Sequence, residues 1–385
     1  MIGVCIKYAH ENYGGMLQAY ATISLLEKLG IDYQLIRYDK SHSLFFKISA
    51  LPRIFNSVFL NDKLEALKKK IGKKKHPEFA KNDAVRMHAF HAFSDEKFTK
   101  LAPVSVGYNK LCADSKKYRA VITGSDQLWS PAGLSTNFFN LRFVDDSVRK
   151  ISYASSFGVS NIPWYQKRRT RQFLSRLDYI SMRENRGAAI VKELTGKDVP
   201  VVIDPVMMLT ASEWDYLIPE KQVAQGEYIF AYFLGDNQEH RKAVNLLKEK
   251  TGLKIVALRH MDQYVPADET FGDEAPYNVG PIEFLNLLRN AKYVCTDSFH
   301  GTAFSVIYHK QFIVFNRYSN QYKHSKNSRI DTLCANLGVS NRRYGKDFVE
   351  RIQAPIDYQI VDDKIEKLKK DAFKYLSNAL EGIAE

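Results

Sequence analysis

The stretch Tyr293-Val-Cys-Thr-Asp-Ser-Phe-His-Gly-Thr-Ala-Phe-Ser-Val-Ile-Tyr308 reads as a short apolar strand, a tight polar turn and a helix opening at Gly301 or Thr302. That reading puts His300 at a helix N-terminus. In an open parallel α/β sheet, ligands bind in the crevice beyond the carboxyl ends of the strands. There the unpaired N–H groups of the first helical turn, with the positive end of the helix dipole, favour an anion. Asp297, Ser298 and His300 set a carboxylate, a hydroxyl and an imidazole beside that crevice. The competing reading is a strand-to-helix turn whose Asp and Ser only cap the helix while the histidine faces water.

The same alternation surrounds this stretch. Upstream, Tyr228–Leu234 is a strand, Glu239–Lys250 a helix, and Lys254–Leu258 a strand leading to Arg259 and His260. A polar loop, Asp262–Tyr277, then leads to a helix at Pro281–Asn290, with Pro in its first turn and Glu283 near its positive end. Downstream, Phe312–Phe315 is a strand followed by Arg317–Arg329, which carries Arg317, Lys323, Lys326 and Arg329 and no acid. Such a segment suits either a loop closing over an anion or a solvated loop.

The first half of the chain opens on a strand, Ile2–Tyr8, then Asn12-Tyr13-Gly14-Gly15, a helix at Met16–Leu29 ended by Gly30, and a strand at Asp32–Asp39. Gly14 and Gly15 allow either close helix packing or close approach of a ligand. Later strands run into polar ends: Ser125 and Asp126 after Arg119–Thr123, Ser156 after Lys150–Ser155, Arg183 after Tyr179–Met182, and Asp204 after Val201–Ile203. In a parallel sheet these ends gather on one edge. Asp204-Pro205 starts the connection to the second half, because a residue before proline is kept out of the helical region.

Ser43–Lys100 interrupts the pattern as an insertion of two or three helices. From Lys40 to Lys81 there are eleven Lys/Arg against three acids, so much of the net charge of +13 lies there. The aromatic and basic run Leu44–Leu60 can lie on an anionic membrane; the competing reading is a solvated helical face with a mobile lysine loop at Lys68–Lys75. Val361–Ile383 is a packing helix that crosses back toward the first half.

The expected architecture is therefore α/β: two Rossmann-like doubly wound domains facing across a cleft, the GT-B-like layout, with a helical basic insertion in the first. The expected divisions are 1–205 with the insertion at about 43–100, 206–355, and a C-terminal packing helix at 356–385. At 385 residues and 45% hydrophobic content, two full cores fit. The longest apolar runs fall short of a membrane span, and Ile2–Tyr8 is too short for a signal peptide, so the expected location is cytoplasmic, with contact at the inner membrane face left open. Cys5, Cys112, Cys295 and Cys334 have neither CxxC nor CxxH spacing, which argues against a zinc site or a disulfide framework.

Five motifs in register resemble the polysaccharide pyruvyl transferase family: Asn12-Tyr-Gly-Gly-Met-Leu-Gln-Ala-Tyr20, Val121-Ile-Thr-Gly-Ser-Asp-Gln-Leu-Trp129, Ser181-Met-Arg-Glu184, Ile203-Asp-Pro-Val206 and Thr296-Asp-Ser-Phe-His-Gly301. The resemblance runs from Ile2 to about Leu337, and the lysine-rich insertion is its least family-like part. It implies a GT-B-like fold and transfer of pyruvate from phosphoenolpyruvate, as a ketal, to two hydroxyls of a sugar in a surface polysaccharide. No cofactor or metal is implied beyond phosphoenolpyruvate as co-substrate. The family histidine matches His300 and the family arginine matches Arg183. Many members carry Arg where this chain has Ser298, so Arg183, Arg259, Arg317 or Arg329 would supply that cation, or the branch has a different donor or acceptor.

The resemblance implies His300 as acid/base, with Asp297 orienting it or taking the acceptor's proton. Arg183, Ser298, Gly301, Arg259, Arg317 and Arg329 fall on the donor side; Asn12, Tyr13, Gly14, Gly15, Ser125 and Asp126 fall on the acceptor side. The acceptor is a sugar, lipid-linked or nucleotide-linked. Two other classes compete. A GT-B glycosyltransferase would use a nucleotide sugar and need a base and ribose pocket in the second half, which no stretch marks. A polyanion-binding module would use the positive charge, but the lysines are not interleaved with stacking aromatics, so nucleic acid is not an expected partner.

Overall fold

A computed structural model describes residues 1–40, 57–131, 137–317 and 328–383. The first unit runs β1 (Ile2–Cys5), α1 (Tyr13–Lys28), β2 (Tyr33–Asp39), α2 (Ser57–Lys75), α3 (Pro77–Lys97), β3 (Leu101–Val106), α4 (Tyr108–Ser115), β4 (Ala120–Thr123), β5 (Arg149–Ser155), α5 (Trp164–Ser175), β6 (Tyr179–Met182) and α6 (Asn185–Thr195). After a 3-10 turn at Pro205–Met208 and α7 (Ala211–Asp215), the second unit runs β7 (Tyr228–Tyr232), α8 (Gln238–Thr251), β8 (Lys254–Ala257), α9 (Pro281–Asn290), β9 (Tyr293–Thr296), α10 (Phe299–Ile307) and β10 (Gln311–Val314). It closes with α11 (Ser328–Leu337), α12 (Phe348–Gln353) and α13 (Tyr358–Leu380).

Both sheets are parallel throughout, with strand orders β3-β2-β1-β4-β5-β6 and β10-β9-β7-β8. Parallel strands carry helices on both faces, which is why β1 and β4 are buried at every position. The strand order reverses between β1 and β4 in one sheet and between β7 and β9 in the other. These reversals leave a crevice at each sheet's carboxyl edge. The architecture is the expected pair of Rossmann-like units facing across a cleft.

One hydrophobic cluster joins the units, from Val4 and Leu35 through Trp214 to Phe230, Phe304 and Leu376. Tyr13 is its aromatic bolt: its ring stacks on Phe284 at 4.9 Å and lies 4.7 Å from Phe90, and its hydroxyl donates to Val279 O at 2.8 Å. Arg86 of α3 donates to the carbonyls of Tyr277, Pro276 and Arg259, tying the insertion to the second unit. The far end of α13 returns to the first sheet, where Tyr375 Oη donates to Ser152 O at 2.7 Å and Arg149 Nη1 donates to Glu381 O at 2.8 Å.

The structure departs from the sequence-based reading at four places. Val201–Val206 is not a regular strand: Val201 forms a lone bridge to Met182, because prolines at 200 and 205 leave little backbone free to pair. Leu101–Val106 was not anticipated; Pro103 disguises it, yet proline is tolerated on an edge strand, here beside a register shift against Leu35 and Arg37. Lys68–Lys75 is not a loop but the last turns of α2, where lysines suit the negative end of the dipole. The helix after β9 starts at Phe299, capped by Ser298, so His300 lies inside its first turn. Most of Leu44–Leu60, including residues 44–56, lies outside the described residues. Among the described residues no helix is long and apolar enough to cross a membrane.

Candidate active site

A cavity of about 470 Å3 lies where the two strand-order reversals face each other. The loop after β1 contributes Lys7, His10 and Asn12, and the loop after β4 contributes Asp126 and Gln127. From the second unit come Leu234, Gly235 and Asp236 after β7, His260, Asp262 and Gln263 after β8, Ser298, Phe299 and His300 after β9, and Arg317 after β10. Arg329 enters from α11 and Lys68 from the insertion. Every strand of the second sheet thus sends its carboxyl end to one hollow, the arrangement that turns separate loops into a single binding surface.

His300 forms part of the wall and is only 6% exposed. Its ring lies against Gly14, where any Cβ would overlap the imidazole, so α1 and α10 approach this closely only with glycine at that position. Behind it, Nε2 stands 3.7 Å from Asp204 Oδ2, beyond hydrogen-bond reach, and has no hydrogen-bond partner among the described residues.

Asp204 heads a buried chain of charge. Its Oδ2 accepts from Arg183 Nη1 at 2.7 Å and from Ser125 Oγ at 2.9 Å, and its Oδ1 accepts from the Val206 N–H at 3.1 Å. Arg183 Nη2 reaches on to Asp126 Oδ1 at 3.3 Å. Burial alone would raise the pKa of Asp204, but the positive charge of His300 and Arg183, with the hydrogen bond from Arg183, outweighs it and holds the carboxyl well below the usual range. Asp126 is likewise held low against burial by Lys7, Arg183, His300 and Arg329. Its φ of 74° turns the carboxylate into the cavity, a backbone region rarely used outside glycine.

Arg329 is 7% exposed and shares the ring of Phe299 with Arg183, their guanidinium carbons 5.9 and 4.4 Å from its centre. Burial and the neighbouring charge of Arg183 push the Arg329 pKa down to about 10. With its amide oxygen turned toward that guanidinium, Gln127 accepts from Arg329 Nη1 at 2.7 Å. A cation packed beside another cation and short of solvent is a ready partner for an anionic ligand.

The remaining candidates separate. Asn12 and Gly15 line the cavity, with Asn12 Oδ1 accepting from the Gly15 N–H at 2.9 Å to cap α1. Tyr13 lies in the ring stack outside the cavity, and Ser125 lies beneath it, fully buried. Ser298 Oγ accepts from the Gly301 N–H at 3.3 Å, while Gly301 packs on Thr296 and stays out of the lining. Asp297 does not address His300: its oxygens accept from the Leu234 and Gly235 N–H groups at 2.7 and 2.9 Å, shaping the loop after β7. Arg317 approaches the same carboxylate at 3.7 Å and faces the cavity. Arg259 turns into its own loop, toward Tyr277 Oη and the Phe271 carbonyl. Arg183 is the buried backing just described. Residues 318–327, read from the sequence as either a loop closing over an anion or a solvated loop, lie outside the described residues, although Arg317 and Arg329 flank them.

Sequence reasoning missed Lys7, His10, Lys68, Gln127, Asp236, His260, Asp262 and Gln263 as cavity residues. Lys7, Gln127 and His260 follow strand ends, the signal that singled out Ser125 and Arg183. Lys68 had no such signal, since nothing local says that the insertion overhangs the cleft.

The family model for polysaccharide pyruvyl transferases matches residues 12–320. No curated protein sequence matches the chain. Among solved structures, the UDP-GlcNAc 2-epimerase of Methanocaldococcus jannaschii is similar with 12% identity and a TM-score of 0.48, covering 95% of this chain and 91% of that one. A putative UDP-N-acetylglucosamine 2-epimerase from Listeria monocytogenes has 10% identity and a TM-score of 0.47, with 100% and 90% coverage. A glycosyltransferase from Streptomyces nogalater has 10% identity and a TM-score of 0.40, with 100% and 98% coverage.

Proposed function

The chain belongs to the polysaccharide pyruvyl transferase family, and on that premise we propose that it moves pyruvate from phosphoenolpyruvate onto two hydroxyls of one sugar, as a ketal, during surface polysaccharide synthesis. The observation that carries this reading is the pairing of a buried imidazole, His300, with a cluster of cations in the same cavity: Lys7, Arg317 and Arg329. Phosphoenolpyruvate carries about three negative charges and calls for guanidinium groups and a helix N-terminus together. Arg329 and Arg317, beside the start of α10, stand in for the arginine that many members carry at the Ser298 position.

His300, as the imidazolium, gives a proton to the methylene carbon, leaving positive charge at C2. A sugar hydroxyl attacks C2, inorganic phosphate leaves, and the second hydroxyl closes the ketal. Of the two hydroxyl protons, one ends on the new methyl group by way of His300 and the other on phosphate. General acid–base help of this kind contributes about 10²–10⁴-fold. Asp204, at 3.7 Å, offsets the charge on the protonated ring. Asp126, kept ionised by its neighbours, faces the acceptor side beside Asn12 and Gly15.

Calorimetric titration with phosphoenolpyruvate, beside UDP- and GDP-sugars, tests the donor. Saturable binding of phosphoenolpyruvate that Arg329→Gln weakens supports the reading. Binding of a nucleotide sugar alone would replace it with glycosyl transfer.

A further inference from the structure

The helix α2 is turned inside out. Its protein-facing side is polar: Lys69 Nζ lies 3.0 Å from Asp83 Oδ1 of α3, Lys73 pairs with Asp83 Oδ2, and the Asp83 side chain is fully buried between them. Gly72 completes that side, buried against Tyr264. The opposite side carries Leu60, Leu64, Leu67 and Ile71, which are 44, 54, 52 and 44% exposed. At roughly 100° per residue these four fall within about 60° of one another, a continuous apolar stripe. A helix of a water-soluble unit turns such a stripe inward; here ion pairs occupy the inner face.

Exposed lysines border the stripe, Lys70 and Lys74 on one flank and Lys68 and Lys75 on the other. An apolar stripe between two rows of lysine is the pattern of a helix lying in a membrane interface, where acyl chains take the leucines and anionic headgroups take the ammonium groups. Lysine stems can lie along apolar surface while their ammonium heads stay in the polar layer. The surrounding segment supplies long-range attraction, with eleven Lys/Arg against three acids from Lys40 to Lys81.

We propose that α2 docks this protein on an anionic phospholipid surface, with Leu60, Leu64, Leu67 and Ile71 inserted below the headgroups and Lys68, Lys70, Lys74 and Lys75 among them. Apart from Lys68, the docking residues lie outside the cavity that His300 lines, and the inference does not rest on the transfer chemistry. Lys68 also lines the cavity, so docking sets the cleft mouth beside the lipid.

Co-sedimentation of the full chain with phosphatidylcholine vesicles, with and without 30 mol% phosphatidylglycerol as the probe composition (about a third of the lipid, ample for the anionic attraction), tests it. The expected result is binding that requires phosphatidylglycerol, weakens about fivefold for each lysine removed in Lys70→Gln/Lys74→Gln, and falls at least about tenfold in Leu64→Gln/Leu67→Gln. Because both leucines are exposed, the melting temperature of the leucine variant should match wild type. Absence of binding to the anionic vesicles, or equal binding by the leucine variant, overturns the proposal. A leucine variant that melts well below wild type would mean that the chain itself covers the stripe, and a concentration-dependent dimer abolished by that variant would mean that a second copy does; either also overturns it.

Discussion

Gly14 of the first unit and His300 of the second are in direct contact, the backbone of α1 pressed on the imidazole face with no room for a single added carbon. The contact fixes the ring from the side opposite Asp204 and makes the spacing of two domains a condition for placing one side chain.

Gly14→Ala should therefore move His300 rather than merely crowd the core. Overpacking costs about 1–3 kcal/mol, and turnover should fall by about 10²-fold, the penalty expected for misplacing a reacting group by about 1 Å. Phosphate release from phosphoenolpyruvate, measured beside a thermal melt, checks this. Turnover like wild type would show that the contact does not position the ring.

His300→Asn should lower transfer by about 10²–10⁴-fold while phosphoenolpyruvate still binds, since the cations that face the ligand are Arg317, Arg329 and Lys7. Single-turnover kinetics and calorimetry on the same sample separate the two effects. Loss of binding without loss of the chemical step would reverse the assignment.

Arg329→Gln should weaken phosphoenolpyruvate binding by about 10- to 100-fold, the worth of a charge-assisted hydrogen bond in a buried site. The variant also relieves the crowding between two guanidinium groups on the Phe299 ring, so its stability should hold or rise. Isothermal titration and chemical denaturation read the two consequences independently.

Asp204→Asn should destabilise the fold by about 3–5 kcal/mol near pH 7, because Arg183 loses its closest counter-charge while staying buried. The sign with pH follows from the depressed carboxyl. Its native pKa lies below the unfolded value of about 3.9, so its contribution is complete above that value and is lost as pH falls through the native one. Urea midpoints of wild type and variant should converge as the pH is taken from 7 to below about 4. A constant gap across that range would mean that Asp204 is not ionised in the folded protein.

Local pattern was enough for much of this molecule. The alternation of apolar runs and 3.6-period segments located nine of the ten strands among the described residues, because parallel strands buried on both faces are mostly apolar, as in Ala120–Ile122. The missed strand, Leu101–Val106, hides behind Pro103, which only an edge position tolerates. The polar strand ends pointed to the cavity, yet their pairings were out of reach. Asp204 meets Arg183 across 21 positions and Ser125 across 79, and such distances carry no periodic signature. Asp297 misled for the opposite reason, since its nearness to His300 in sequence conceals two backbone N–H partners more than 60 positions away.

Tyr13 has a consequence for traffic through the cleft. Its ring is held by Phe90 of the insertion and Phe284 of the second unit, and its hydroxyl by the Val279 carbonyl. A clamshell swing of the two sheets would have to tear that rivet apart, so the expected behaviour is ligand entry along the rim, beside the turn after β8 and Lys68 of α2, with the jaws at fixed gape. Distance reporters placed across the two sheets should read the same separation before and after ligand is added.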